Sequence, residues 1–139
     1  MHNFSYEFLG VRIEGFVPSD FTIWLNKVMK HYKVSSCSLM FIFVDDDYLI
    51  EINKSHLGHD YYTDIITFNM NEENSLSGEM YISVDRVKEN ADEFSKGDFM
   101  LELSRVMVHG ALHLLGYDDH SDADIKSIRE QEDICLMLK

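Results

Sequence analysis

Between Gly97-Asp98 and Gly116 the chain runs as one long, mostly apolar helical segment, Phe99 to Leu115, which must be buried within layered secondary structure. This segment carries His109 and His113. Four-residue spacing on a helix puts the two imidazoles about one turn apart on one face, where two ring nitrogens converge on one ion. Gly116 ends the helix, because glycine adopts the left-handed cap conformation cheaply. The chain then turns back through Tyr117, so that Asp118, Asp119 or His120 supplies a third ligand. Three protein ligands with an open fourth position is the arrangement of a catalytic zinc site. The plain alternative is a histidine-bearing core helix followed by a solvated acidic loop.

The rest of the chain supplies the layers. Phe4 to Leu9 alternates as a strand does. Pro18-Ser19-Asp20 reads as a helix start, with Ser19 or Asp20 as the cap, and Phe21, Trp24, Leu25 and Val28 form its buried face through about Lys33. Ser36 to Val44 is apolar and β-rich, the pattern of a largely buried strand. Asp45-Asp46-Asp47 opens a helix to about Ser55. Strands are expected at Asp64–Phe68 and Glu79–Val84, with a turn between them at Asn71–Ser77. A helix follows from Asp85 to about Ser95. After the long apolar helix, Ser121 to Asp124 caps a last one, with Ile125, Ile128, Ile134 and Leu138 as its inner stripe. The expected fold is α/β (α+β): one domain over residues 1–139, about four strands in a mixed sheet packed with about five helices. The metal site then sits at the C-terminal end of the penultimate, long helix.

Composition narrows the class. The chain has 139 residues, 45% hydrophobic, which suits one globular domain with a real core. No apolar run approaches the roughly 20 residues of a membrane helix, and the amino-terminal residues carry no secretory pattern. A cytoplasmic protein is expected, with Cys37 and Cys135 as buried, reduced thiols. The net charge is −13, against the basic character usual in nucleic-acid binders. Residues 1–60 hold five Lys/Arg against eight Asp/Glu, and residues 61–139 seven against seventeen. A phosphate-binding surface is therefore expected in the first half, where Lys27, Lys30 and Lys33 share one helix flank.

Gly110 bears on the chemistry. In H-E-x-x-H proteases the residue after the first histidine is the glutamate that activates water. Glycine there removes the general base and turns the site away from proteolysis. Glycine within a helix is unfavourable by roughly 1 kcal/mol relative to alanine, so something packs closely on it, either a strand or a substrate backbone. A zinc ion without that glutamate still acidifies bound water and presents positive charge to a phosphoryl oxygen. Asp64 and Glu79 are the carboxylates available as an added acid or base.

The stretch His109-Gly110-Ala111-Leu112-His113-Leu114-Leu115-Gly116-Tyr117-Asp118 resembles the signature H-G-x-L-H-L-x-G-Y-D-H of the YbeY family. Ile52 to Asn69 is similar to that family's L-N-x-x-Y-R-x-K-D-x-P-T-D-V-L-S-F-P segment, and Ser77 to Ile82 to its L-G-D-I-x-I strand. The resemblance covers nearly the whole chain. It implies a zinc-dependent, single-strand-specific endoribonuclease acting in 16S rRNA 3′-end maturation and late-stage 70S ribosome quality control. The implied catalytic residues are His109 and His113, the cofactor one Zn²⁺ ion, and the partners single-stranded rRNA and ribosomal subunits, with no membrane and no DNA.

Two departures stand out. Leu57 occupies the place of the family's arginine, and His59 the place of its lysine. The family's third histidine falls ten residues after the first, where this chain has Asp119, and His120 comes one later. A carboxylate oxygen is an acceptable zinc ligand, so the metal set is His109 and His113 with Asp119 or His120. Aspartate lowers the charge of the site by one and makes the ion a weaker Lewis acid. Two other readings follow from the same residues: a ribosome-associated assembly factor with a structural zinc, and a metal-dependent hydrolase of another substrate.

Overall fold

The structure is a computed structural model that describes all 139 residues. Its elements run β1 (His2–Phe8), α1 (Pro18–His31), β2 (Cys37–Val44), α2 (Asp46–Leu57), β3 (Ile65–Asn69), β4 (Leu76–Ser83), α3 (Val84–Phe94), α4 (Phe99–Leu114) and α5 (Asp122–Leu136). The sheet order is β1-β2-β4-β3. β1 and β4 both pair with β2 in parallel, while β3 runs antiparallel to β4. This is the four-stranded mixed sheet with five helices that the sequence predicts.

Central β2 explains its own composition. Alternate strand residues face opposite sides of a sheet. Leu39, Phe41 and Phe43 enter the main core with Met80 and Ile82 of β4, against Trp24, Leu25, Val28 and Met29 of α1 and the apolar residues of α4. Ile42 and Val44 point the other way, into a smaller cluster with Leu49 of α2 and Ile66 of β3. Both faces of β2 are covered from Leu39 onward, so its sequence is apolar there, and only Ser38 near its start is polar and exposed. α4 lies inside the larger layer, with Leu103, Met107, Val108, Ala111 and Leu112 fully buried. No helix is long and apolar enough to cross a membrane.

Helix starts follow the expected caps in most places. Asp45 accepts from the amide of Tyr48, Asp98 from Leu101 and Ser121 from Asp124. α1 is the exception. It begins at Pro18 with Val17 as an N-cap that makes no side-chain bond, so neither Ser19 nor Asp20 caps it. Proline at the first helical position presets φ for the helix and has no amide of its own to leave unpaired. The stripe of α5 also differs from expectation. Its buried residues are Ile128, Glu132 and Cys135, spaced by four and three, whereas Ile125 and Ile134 are exposed.

Candidate metal centre

His109 and His113 occupy the last turns of α4, and the backbone beyond them is tied down. Amides of Leu115, Gly116 and Tyr117 bond back to the carbonyls of Ala111, His113 and Leu112. Gly116 takes φ +107°, which swings the following loop over the helix end. Asn71, in the β3–β4 connection, donates its amide to the Leu114 carbonyl at 2.9 Å, fastening the hairpin to the same helix end.

The result is a triangle of donor atoms. His109 Nε2 and His113 Nε2 stand 2.9 Å apart. Asp119 Oδ2 lies 3.6 Å from the first and 3.5 Å from the second. Tetrahedral zinc with bonds near 2.0–2.2 Å separates its ligands by about 3.3 Å, so this set has the size to hold such an ion. His109, His113 and Asp119 form a group able to bind a metal ion. His120 does not join them. Its side chain is 83% exposed and its Nε2 is 3.9 Å from Asp118 Oδ1, because successive residues of the extended loop point in different directions.

Behind His109 stands Glu132, which sequence reasoning passed over. Its carboxylate accepts the His109 Nδ1–H at 2.7 Å and Arg105 Nη1–H at 3.0 Å. A histidine bonded this way at Nδ1 keeps its Nε2 lone pair for a metal. Burial pushes the Glu132 pKa up, but the hydrogen bonds from His109 and Arg105 outweigh it and hold the carboxyl below its usual range. For His109, burial favours the neutral ring, and the bond and charge of Glu132 reverse this, leaving its pKa raised. The signal in the sequence was a carboxylate at a helical core spacing from Ile128.

A cavity of about 470 Å³ opens over the triangle. Thr63, Asp64, Asn53, Leu57, His59 and Tyr61 are among the residues that line it. Buried Asn53 holds this lining by donating to the Tyr61 carbonyl at 2.9 Å, and the Tyr61 hydroxyl meets His59 Nδ1 at 2.9 Å. Burial raises the Asp64 pKa, offset in part by the nearby His109 and by backbone amides. Glu79, the other carboxylate considered, lies on β4 beside Phe68 and lines no part of the cavity.

Gly110 faces the sheet. A Cβ there would come within 2.8 Å of Ile65 Cδ1 and 2.9 Å of Met80 Cγ. Of the two neighbours considered for it, strand side chains are the ones present. Lys27, Lys30 and Lys33 are exposed but line neither this cavity nor any wall around His109. α1 ends at His31 and Lys33 lies beyond it with φ 58°, so only Lys27 and Lys30 share the helix flank.

The family model for endoribonuclease YbeY matches residues 14–138. The chain belongs to the endoribonuclease YbeY family. That family places it among hydrolases, as an endoribonuclease. It is 42% identical over 138 residues to endoribonuclease YbeY of Flavobacterium psychrophilum, covering 99% of this chain and 96% of the relative. It is 44% identical over 117 residues to that of Cytophaga hutchinsonii, covering 84% and 81%. The solution structure of a Thermotoga maritima protein matches with a TM-score of 0.66 at 28% identity, covering 99% of this chain and 88% of that one.

Proposed function

We propose that residues 1–139 form a zinc-dependent, single-strand-specific endoribonuclease domain acting in 16S rRNA 3′-end maturation and late-stage 70S ribosome quality control. The observation that carries the metal half of this reading is the convergence of His109, His113 and Asp119 beneath an open cavity. Two imidazole nitrogens and one carboxylate suit zinc. When bound, the ion supplies positive charge for a phosphoryl oxygen and an acidified water.

The chain's own residues do the rest. His109 and His113 are the catalytic ligands, and Asp119 completes the set in place of the family's third histidine. Glu132 orients His109 and fixes its proton on Nδ1. Asp64, at the cavity wall with a raised pKa, is the carboxyl placed to hold or pass a proton during strand scission. Tyr61 and His59 stack at 5.1 Å in the lining of the same cavity and offer flat faces to unpaired bases. A duplex conceals such faces, which supports preference for single strands.

Metal analysis of wild type beside Asp119→Ala and His120→Ala, with cleavage of single-stranded rRNA precursor on the same samples, tests the reading. Asp119→Ala is expected to lose metal and cleavage together, and His120→Ala to keep both. Intact RNA with metal-loaded wild type, unchanged by His113→Ala, sinks the nuclease assignment.

A second reading has its own observation. Leu57 stands at the cavity rim in place of an arginine, in a chain of net charge −13. A ribosome-associated factor in which zinc only clamps the end of α4 predicts subunit binding without cleavage, with chelation chiefly lowering the Tm. A peptide hydrolase is disfavoured, since position 110 carries no glutamate.

A further inference from the structure

The metal-ligand triangle is flanked by a second cavity. It measures about 360 Å³, opens between α3, α4 and α5, and shares Asp64, His109 and Asp119 with the first. The two cavities therefore border the same three side chains, one on each side of the site.

Their charges differ. The cavity over the triangle is walled by Asp64, Asp118 and Asp119 and by no lysine or arginine. The second sets two arginines among four carboxylates, Asp64, Glu102, Asp119 and Glu132. Arg105 is committed, with Nη1 on Glu132 and Nη2 on Asp133. Arg129 is exposed and enters none of the ion pairs of the chain. It is the one guanidinium bordering either cavity that makes no direct ion pair, although its charge acts on nearby Glu102 and Glu132. α5 aims it there by periodicity: Ile125, Ile128, Arg129 and Glu132 recur at three- and four-residue spacing and line the same wall.

The same lining includes Phe94, the last residue of α3. Its side chain is 69% exposed although it belongs to the same cavity lining. An exposed ring and an unpaired guanidinium are the two groups a single-stranded nucleotide requires: a flat face for any base and a fork for a phosphate.

We propose that this second cavity is a nucleotide subsite, in which a base stacks on Phe94 and its phosphate pairs with Arg129. The inference rests on the ribonuclease reading and adds a direction to it: the strand continues from the metal site toward α3 and α5. The role left open by Leu57 passes to a residue on another element. Because stacking is indifferent to base identity, this subsite contributes affinity without sequence preference.

The test uses zinc-loaded protein and a fluorescein-labelled, 2′-O-methyl single-stranded RNA 10-mer, read by anisotropy across a salt series. KM and kcat are measured on the unmodified RNA. Phe94→Ala is expected to weaken binding roughly 5- to 150-fold, and Phe94→Tyr to restore it. Arg129→Gln is expected to reduce the slope of log affinity against log salt by about 0.7, the value for one lost single-strand phosphate contact. Both are expected to raise KM while kcat stays within about twofold of wild type. Lys126→Gln removes one charge from the same helix outside the cavity and is expected to leave the salt slope unchanged. Equal effects of Lys126→Gln and Arg129→Gln, or wild-type affinity in Phe94→Ala, overturn the subsite while leaving the nuclease intact. A wild-type protein that neither binds nor cuts RNA overturns both.

Discussion

Replacing Glu132 with glutamine isolates its hydrogen-bond role from its shape. The carboxylate is 4% exposed, and its two oxygens face two donors, His109 Nδ1 at 2.7 Å and Arg105 Nη1 at 3.0 Å. An amide has one oxygen and one NH₂, so one of those donors meets another donor. The guanidinium does not give up its proton in proteins, whereas imidazole moves its proton between nitrogens readily. The amide oxygen therefore stays with Arg105 and its NH₂ turns to His109. The ring then accepts at Nδ1 and carries its proton on Nε2, the nitrogen that faces His113 and Asp119. Before Nε2 binds metal it must lose that proton.

Loss of such a partner weakens metal binding roughly 10- to 100-fold, or about 1.4–2.7 kcal/mol. Fold stability falls by less than the ~3–5 kcal/mol of a fully broken buried ion pair. Arg105 keeps its 2.9 Å contact to Asp133, and its side chain is 20% exposed to water. Competition against a chromophoric zinc chelator gives the affinity, and long-range ¹H–¹⁵N correlation spectra of metal-free protein report the His109 tautomer. The expected result is weaker zinc binding with the proton on Nε2. Wild-type zinc affinity in Glu132→Gln, with the proton still on Nδ1, refutes the reasoning.

Asp119→His restores a histidine at the place of the family's third ligand and is expected to retain zinc and raise cleavage, by making the ion a stronger Lewis acid; metal content and kcat check it. Gly110→Ala is expected to lower the Tm by a few degrees in thermal melts. Crowding against Ile65 and Met80 costs about 1–3 kcal/mol, which exceeds the roughly 1 kcal/mol gained in helix propensity. Buried Glu102 has a raised pKa, caused first by burial and opposed by a hydrogen bond from Ser95 and by Arg105. In metal-free protein the folded chain therefore holds this proton more tightly than the unfolded chain, and stability falls as pH rises from the usual glutamate range through the folded pKa. Glu102→Gln keeps an acceptor for Ser95 and is expected to raise the Tm at pH 8 and leave it unchanged at pH 4.

The parts of this molecule that were legible in sequence are those set by local chemistry. Asp45 and Ser121 announce helices because a cap acts within three residues of itself. The histidine pair is visible because four residues close one helical turn. The third ligand was left between Asp119 and His120, since which of two neighbours turns inward depends on how Gly116 and Tyr117 anchor the loop. Glu132 and Arg129 escaped notice for a different reason. They reach His109 and its surroundings only because α5 packs on α4, and nothing within α5 itself announces that neighbour. The same packing explains the α5 stripe: hydrophobicity alone favoured Ile125 and Ile134, while Glu132 takes a buried place because Arg105 and His109 satisfy it.

The mounting of residue 110 against the sheet has a consequence for descent and design. Two histidines four apart on a helix are shared with the H-E-x-x-H enzymes, and a single codon change at 110 would complete that motif on paper. In this fold the new carboxylate would be driven between Ile65 and Met80, away from the metal face, and would unsettle the core it entered. The packing of residue 110 on Ile65 and Met80 thus guards the helix against that glutamate. A glutamate there is compatible with this core only if Ile65 and Met80 on the sheet beneath it give way.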